Sequence, residues 1–99
     1  MLKIVERPKA LDDLDGIADY IAADNPEAAR RVIVAVADTY LHLSEWPEMS
    51  QALLGGFRMM PVIGFRRYLV LYLLCDETVE ILRVIRSDQD YQRILSTEH

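Results

Sequence analysis

The sequence predicts an α+β fold: an N-terminal strand, an antiparallel helix hairpin, a three-stranded antiparallel meander and a short C-terminal helix. Residues 66–75 form an almost wholly apolar run rich in β-branched and aromatic residues, and a second apolar run follows at 79–86. Two such runs, separated by the polar Asp76-Glu77-Thr78, indicate a buried β-hairpin. Upstream of them, apolar residues recur at spacings of three and four over two long segments, which is typical of amphipathic helices.

Length and composition predict one domain spanning residues 1–99. Cys75 is the only cysteine, so an internal disulfide is excluded and a reducing compartment is expected. No apolar run approaches the roughly 20 residues that a membrane-spanning helix requires, and the charged N-terminal residues lack a signal-peptide core. We therefore expect a cytoplasmic protein that makes no contact with membranes.

The first half of the chain predicts a weak strand over residues 1–6 and then two helices. Pro8 suits the first position of a helix, and Asn25 and Pro26 suit the N-cap and first turn of a second helix that runs to about Glu45. So short a link requires the two helices to pack as an antiparallel hairpin. The apolar stripe of the first helix consists of Leu11, Leu14, Ile17, Ala18 and Ile21. Its aspartates are expected to form a solvated face rather than a metal site.

The second half predicts a loop over residues 49–56 and a strand over 57–62. Because Pro61 lacks an N–H group, that strand is expected to be an edge or to end there. The Trp46 ring is expected to cap the end of the core. After the hairpin, Ser87 and Asp90 resemble a capping box that opens the tail helix. The apolar stripe of that helix consists of Tyr91, Ile94 and Leu95.

Charge is distributed unevenly along the chain, whose net charge is −5. The acids dominate residues 1–50, whereas arginines flank the predicted β-hairpin at both ends. An acidic chain is a poor non-specific ligand for nucleic acid, because that affinity comes from cations on phosphates. The arginines at the hairpin ends either contact a macromolecule or protect an apolar strand against aggregation. These arginines are Arg66, Arg67, Arg83 and Arg86.

The order of elements and several segments resemble the RelE/ParE superfamily of small bacterial toxins from type II toxin–antitoxin modules. The resemblance covers nearly the whole chain, and its helix junction and last strand are more similar to ParE than to RelE. The segments that carry it are Pro8–Leu14, Tyr20–Ala22, Asn25–Arg30, Tyr68–Tyr72 and Val79–Val84.

A ParE-like resemblance implies a toxin that binds and poisons a protein target, DNA gyrase, without catalytic residues, metal or cofactor. It also implies a cognate antitoxin, a small DNA-binding protein with a disordered C-terminal segment, so we expect a hetero-oligomer that meets nucleic acid only through the antitoxin. The residues expected to contact the target are Arg58, Arg83, Arg86 and Tyr91. The residues expected to contact the antitoxin are Tyr68, Val70 and Tyr72, and the domain is expected to expose a sizeable apolar patch that a folding antitoxin segment covers.

Two alternatives remain open at the level of sequence. The chain resembles RelE-like ribosome-dependent mRNA endoribonucleases in fold, and Arg58, Arg83 and Arg86 are then expected to act with Tyr91 or His42 in proton transfer. Against cleavage, the last lysine in the chain is Lys9, and Gln89 stands where an arginine is expected in such nucleases. The Arg86-Ser87 pair also departs from the ParE pattern. The third interpretation is therefore an inactive toxin fold that serves as a binding module.

Overall fold

The computed structural model describes residues 1–98 and confirms the predicted fold class. The elements in chain order are β1 (Lys3–Glu6), α1 (Pro8–Ala22), α2 (Pro26–Glu45), β2 (Gln51–Ala52), β3 (Phe57–Val62), β4 (Phe65–Cys75), β5 (Thr78–Arg86) and α3 (Tyr91–Leu95). The two-residue β2 and a short 3₁₀ turn at Leu54–Gly56 interrupt the segment predicted as a loop. Within residues 1–98, no helix is long and apolar enough to span a membrane.

The five strands form one sheet in the order β1-β5-β4-β3-β2. The meander of β3, β4 and β5 is antiparallel, as predicted, whereas β1 pairs with β5 in parallel. β2 pairs only with Arg58 and Met59, so β3 is an edge at Pro61, as the missing N–H group requires. β4 lies in the middle of the sheet, so both of its edges pair with neighbouring strands.

Local capping explains where the helices begin. The Asn25 side chain accepts a hydrogen bond from the Ala28 N–H at 3.1 Å, which fixes the start of α2 after the short link. The predicted capping box at Ser87 is wrong, because Asp90 is the N-cap of α3 and its Oδ1 accepts from the Arg93 N–H at 3.3 Å. Ser87 instead donates its backbone N–H to the Arg67 carbonyl at 2.6 Å, which ties the end of β5 to β4.

Apolar side chains are buried on both faces of the sheet. One core lies between the sheet and the α1–α2 hairpin and includes Val36, Val70 and Ile81. The second core lies on the other face and includes Leu71 and Leu95, so α3 covers that face. Trp46 belongs to neither: it is 50 % exposed, and the prediction that its ring caps the core is wrong.

A β-bulge in β5 changes which residues face each core. Leu71 pairs with Arg83 and the next residue of β4, Tyr72, pairs with Ile81, so Leu82 is the extra residue. Before the bulge Ile81 faces the helix-side core, but after it Ile85 faces the tail-side core. Strict alternation along β5 would place Ile81 and Ile85 on one face, but the inserted residue reverses the alternation and separates them.

Burial of Tyr40 makes stability depend on alkaline pH. Burial raises the pKa of Tyr40 above its ordinary value of 10.0, and the carboxylate of Glu6 raises it further. Above pH 10 the unfolded chain releases this proton while the folded chain retains it, so stability falls as pH rises. Between pH 9 and pH 11 we expect the wild type to lose in total about 1.4 kcal/mol more unfolding free energy than Tyr40→Phe. Urea unfolding between pH 9 and pH 11 measures this difference.

The matched control for this experiment is Tyr20→Phe, because the Tyr20 side chain is 80 % exposed. Equal alkaline slopes for the wild type and Tyr40→Phe would contradict the prediction.

Candidate functional site

Arg58 lies on β3 and binds the loop that follows α2. Its Nη2 donates to the carbonyl oxygens of Glu48 and Ser50, both at 2.9 Å, and its Nε donates to the Ser50 Oγ at 3.1 Å. The Tyr72 hydroxyl donates to the Pro47 carbonyl at 2.6 Å in the same region. Arg58 therefore holds the loop against the sheet with three of its hydrogen bonds, and its contact with a target stays a prediction.

Arg83 lies on β5 and pairs with Asp13 of α1. The Arg83 Nε and Nη2 donate to the two carboxylate oxygens of Asp13 at 2.7 and 2.9 Å, a bidentate pair. The Val84 N–H, which β1 ends too early to reach, donates to the same carboxylate at 2.9 Å. The hydrogen bonds with Asp13 raise the pKa of Arg83. Arg83 thus joins α1 to the sheet, and its contact with a target also stays a prediction.

Arg86 and Arg67 share a cleft between α1 and the open ends of β4 and β5. We call it the arginine cleft; its volume is about 550 Å³. The exposed Arg86 side chain pairs with the exposed Asp88 side chain at 3.1 Å, a surface contact that contributes little to stability. Asp12 and Tyr20 lie on the α1 side of the cleft. Of the predicted target-binding arginines, Arg86 is therefore the one whose guanidinium is accessible to another molecule.

Tyr91 lies at the start of α3, away from the arginine cleft. It is half-buried in the tail-side core and lines a second cleft of about 770 Å³ between α3 and the segment 51–57. The four predicted target-binding residues therefore do not form one site. Arg58 contacts the loop, Arg83 contacts α1, Arg86 faces solvent and Tyr91 borders an apolar cleft.

The side chains of Tyr68, Val70 and Tyr72 point into the core beneath the helix hairpin. Tyr68 is 8 % exposed and the other two are fully buried. These three side chains contribute to no exposed apolar patch, because helices cover one face of β4 and α3 with its neighbouring loop covers the other. Antitoxin contact at these three residues stays a prediction, although central β4 offers no free edge to an added strand.

His42 lies near the C-terminal end of α2, where its ring packs 5.4 Å from the Trp46 ring. This contact gives it no catalytic partner. Within residues 1–98, no three His, Cys, Asp or Glu side chains gather as a group able to hold a metal ion. The chemistry that the arginine cleft offers is cationic recognition by two guanidinium groups, with carboxylates of α1 and the tail at its rim.

Asp13, Arg67 and Tyr20 are the residues of this region that sequence reasoning missed. One signal could have found Asp13: it lies three residues after Ala10 and one before Leu14, so it borders the apolar stripe of α1 and faces the sheet. Arg67 was noted only as one end of the hairpin. Nothing in the pattern around Tyr20 indicates that α1 borders a cleft, since that depends on how α1 crosses the sheet.

Comparison with known proteins shows the class to which this α+β fold belongs, that of small bacterial toxins. The family model described as the ParE toxin of the type II toxin–antitoxin system parDE matches residues 4–91. The curated Toxin RelE2 of Caulobacter vibrioides is 31 % identical over 84 residues, covering 85 % of this chain and 93 % of that protein. This chain therefore belongs to the ParE toxin family of type II toxin–antitoxin systems.

Two solved structures support the fold. A chain from the chromosomal ParDE TA system of P. aeruginosa superposes with a TM-score of 0.73 at 21 % identity, covering 87 % of this chain and 96 % of that chain. The isolated E. coli RelE toxin superposes with a TM-score of 0.58 at 11 % identity, covering both chains completely. At such identities the likeness concerns the fold alone, and both branches of the superfamily share it.

Proposed function

We propose that this toxin acts in the cytoplasm by binding and poisoning a protein target, DNA gyrase, rather than by catalysis. The observation that carries the proposal is the match of the ParE toxin family over residues 4–91. In this proposal, the accessible Arg86 and its neighbour Arg67 supply the target contact in the arginine cleft. Tyr91 supplies an aromatic contact at the start of α3.

The contacts of the arginines also support binding over RNA cleavage. Attack by a ribose 2′-hydroxyl requires a base, an acid and cations that are free to meet the charge developing on the phosphate. Arg83 is bound to Asp13, and Arg58 is bound to loop carbonyls. The remaining cation of the predicted set, Arg86, is accessible, but among residues 1–98 no histidine lines its cleft.

The second candidate is a RelE-like ribosome-dependent mRNA endoribonuclease. One observation favours it: the 31 %-identical relative bears the name Toxin RelE2. The two candidates predict different consequences of expression from an inducible promoter. Gyrase poisoning predicts arrested growth with induction of a DNA-damage (SOS) reporter and intact transcripts. Cleavage predicts new 5′ ends in translated messages, detected by primer extension, without the reporter response. Unaffected growth would contradict both and identify a binding module.

Removal of the two guanidinium groups of the arginine cleft tests whether these residues contact the target. We expect the double substitution Arg67→Ala and Arg86→Ala to weaken target binding by about tenfold or more and to restore growth. Both side chains are exposed, so folding is preserved. Colony counts under induction, with immunoblotting to confirm equal protein levels, measure the effect.

The matched control is Arg30→Ala with Arg31→Ala, which removes the same charge from an exposed part of α2. Full toxicity of the cleft variant would contradict the assignment, as would equal loss in the control. Arg83→Ala is unsuitable for this purpose because it removes the tie to Asp13 as well.

A cognate antitoxin is the expected partner, a small DNA-binding protein whose disordered C-terminal segment folds on the toxin to give a hetero-oligomer. Two observations support this part of the proposal. A neighbour of the fold comes from a ParDE TA system, and large apolar side chains at Met49 and Leu54 are 70 % and 90 % exposed. Co-expression with the product of an adjacent reading frame tests it: the complex should purify as one species and abolish toxicity.

A further inference from the structure

The carboxylate of Glu98 is buried among three cations, far in sequence from all of them. Its Oε2 lies 3.4 Å from the Arg7 Nη1, while its Oε1 lies 3.7 Å from the Lys9 Nζ and 4.0 Å from the Arg83 Nη1. Only 6 % of the Glu98 side chain is exposed. A charged side chain so buried near the end of a chain requires compensation by its surroundings, and these three cations supply it.

The carboxylate fits this cluster poorly. The Oε1 of Glu98 is buried and makes no hydrogen bond, and all three nitrogens lie beyond the 2.7–2.9 Å typical of charge-assisted hydrogen bonds. Two carboxylate oxygens meet three cations, so two cations share one oxygen. Attraction between opposite charges, rather than matched donors and acceptors, therefore holds Glu98 in place.

The cations themselves are held in place by other groups. The Arg7 Nε contacts the Glu80 carboxylate at 2.5 Å, and the Arg83 guanidinium is bound bidentately by Asp13. Counting these six side chains, three cations face three carboxylates, and the cluster is neutral only while Glu98 is in place. Removal of Glu98 thus leaves a preformed pocket with one uncompensated positive charge.

The start of α1 adds to this positive potential. Arg7 is its N-cap residue and provides no side-chain acceptor, and the first turn of α1 contains no acid. The N-terminus of a helix carries partial positive charge and favours an anion nearby. Glu98, whose carboxylate contacts the side chains of Arg7 and Lys9 at this helix start, supplies negative charge there.

We propose that Arg7, Lys9 and Arg83 form a binding site for a phosphate dianion, either inorganic phosphate or a phosphate monoester, and that Glu98 occupies it as an internal competitor. A tetrahedral group with three terminal oxygens gives each cation an oxygen of its own, which the planar carboxylate does not. Lys9 remains more than half exposed, so an incoming anion has a route to the cluster. The site is separate from the arginine cleft, and the proposal does not depend on the target of the toxin.

The test compares the full-length Glu98→Ala variant with Asp88→Ala, a control that removes a carboxylate paired with an exposed arginine. Thermal unfolding is measured with inorganic phosphate against chloride at equal ionic strength. With phosphate at about ten times its dissociation constant, the Tm of Glu98→Ala should rise by roughly 5 °C or more. The wild type and Asp88→Ala should change by about 1 °C or less, as expected for weak surface binding.

A second substitution distinguishes a defined site from general screening of charge. Adding Lys9→Gln to Glu98→Ala should abolish the phosphate response, and Lys9 is exposed enough to be replaced without loss of the fold.

Phosphoserine in place of inorganic phosphate tests whether the site also binds a phosphate monoester. Stabilisation by both ligands supports the full class, and stabilisation by phosphate alone supports a site for the free ion. An equal response in Asp88→Ala, or no response in Glu98→Ala to either ligand, would overturn the proposal. If Glu98→Ala does not fold, Glu98→Gln, which removes the competing charge and keeps the size of the side chain, takes its place in the same measurement, and no phosphate response in that variant would overturn the proposal.

Discussion

We expect Asp13→Ala to lower the free energy of unfolding by about 3 kcal/mol and the Tm by roughly 10–20 °C. The carboxylate of Asp13 accepts three hydrogen bonds, two from the Arg83 guanidinium and one from the Val84 N–H. Its loss leaves a partly buried guanidinium and a backbone donor without their acceptor, and both must then be solvated at the junction of α1 and β5. Urea and thermal unfolding followed by circular dichroism measure the change.

The neighbouring residue provides the control for this prediction. Asp12 has the same charge and lies on the same helix, but it is exposed, so Asp12→Ala should change stability by no more than about 0.5 kcal/mol. A double-mutant cycle with Arg83→Ala should give a coupling energy above about 1 kcal/mol, because the two side chains interact directly. Equal stability of the Asp12 and Asp13 variants would show that the pair contributes nothing to the fold.

The second large effect is expected at the bulge. Leu82 is fully buried in the tail-side core, where it packs in the same cluster as Leu71 and Ile85. Leu82→Ala removes three buried carbon atoms and leaves a cavity beneath α3, so we expect a loss of about 3 kcal/mol in unfolding free energy. Equilibrium unfolding in urea measures it, and an unchanged m-value would indicate that the unfolded state is unaffected.

Leu54→Ala is the matched control, since the same three carbons are removed from a side chain that is 90 % exposed. Its unfolding free energy should stay within about 0.5 kcal/mol of the wild type. If Leu82→Ala lowers the unfolding free energy no more than Leu54→Ala does, α3 does not cover the tail-side core.

The order and type of the elements followed from local patterns in the sequence. Asn25 and Pro26 marked the helix junction because capping depends on adjacent residues, and the apolar run of β4 indicated a strand buried on both faces. The parallel pairing of β1 with β5 was not predictable in the same way, because it joins residues more than 70 positions apart. The bulge at Leu82 likewise leaves no mark in the alternation of β5 until the pairing with β4 is known.

The candidate site was less predictable than the fold for a related reason. The arginines were found from the sequence, but whether a guanidinium is free or occupied depends on its neighbours in space. Arg83 looks like Arg86 in the sequence, yet one is bound to Asp13 and the other faces solvent. Tyr68 and Tyr72 were correctly placed on a strand, whereas their burial depends on how the helices cross the sheet.

The parallel contact of β1 with β5 has a consequence for synthesis of the chain. β1 emerges from the ribosome first, yet its partner strand is complete only when Arg86 has been translated and released from the exit tunnel. Because such distant pairings raise contact order, folding should be slow and should occur after most of the chain has been made. A nascent chain would therefore lack its complete sheet until β5 had left the ribosome.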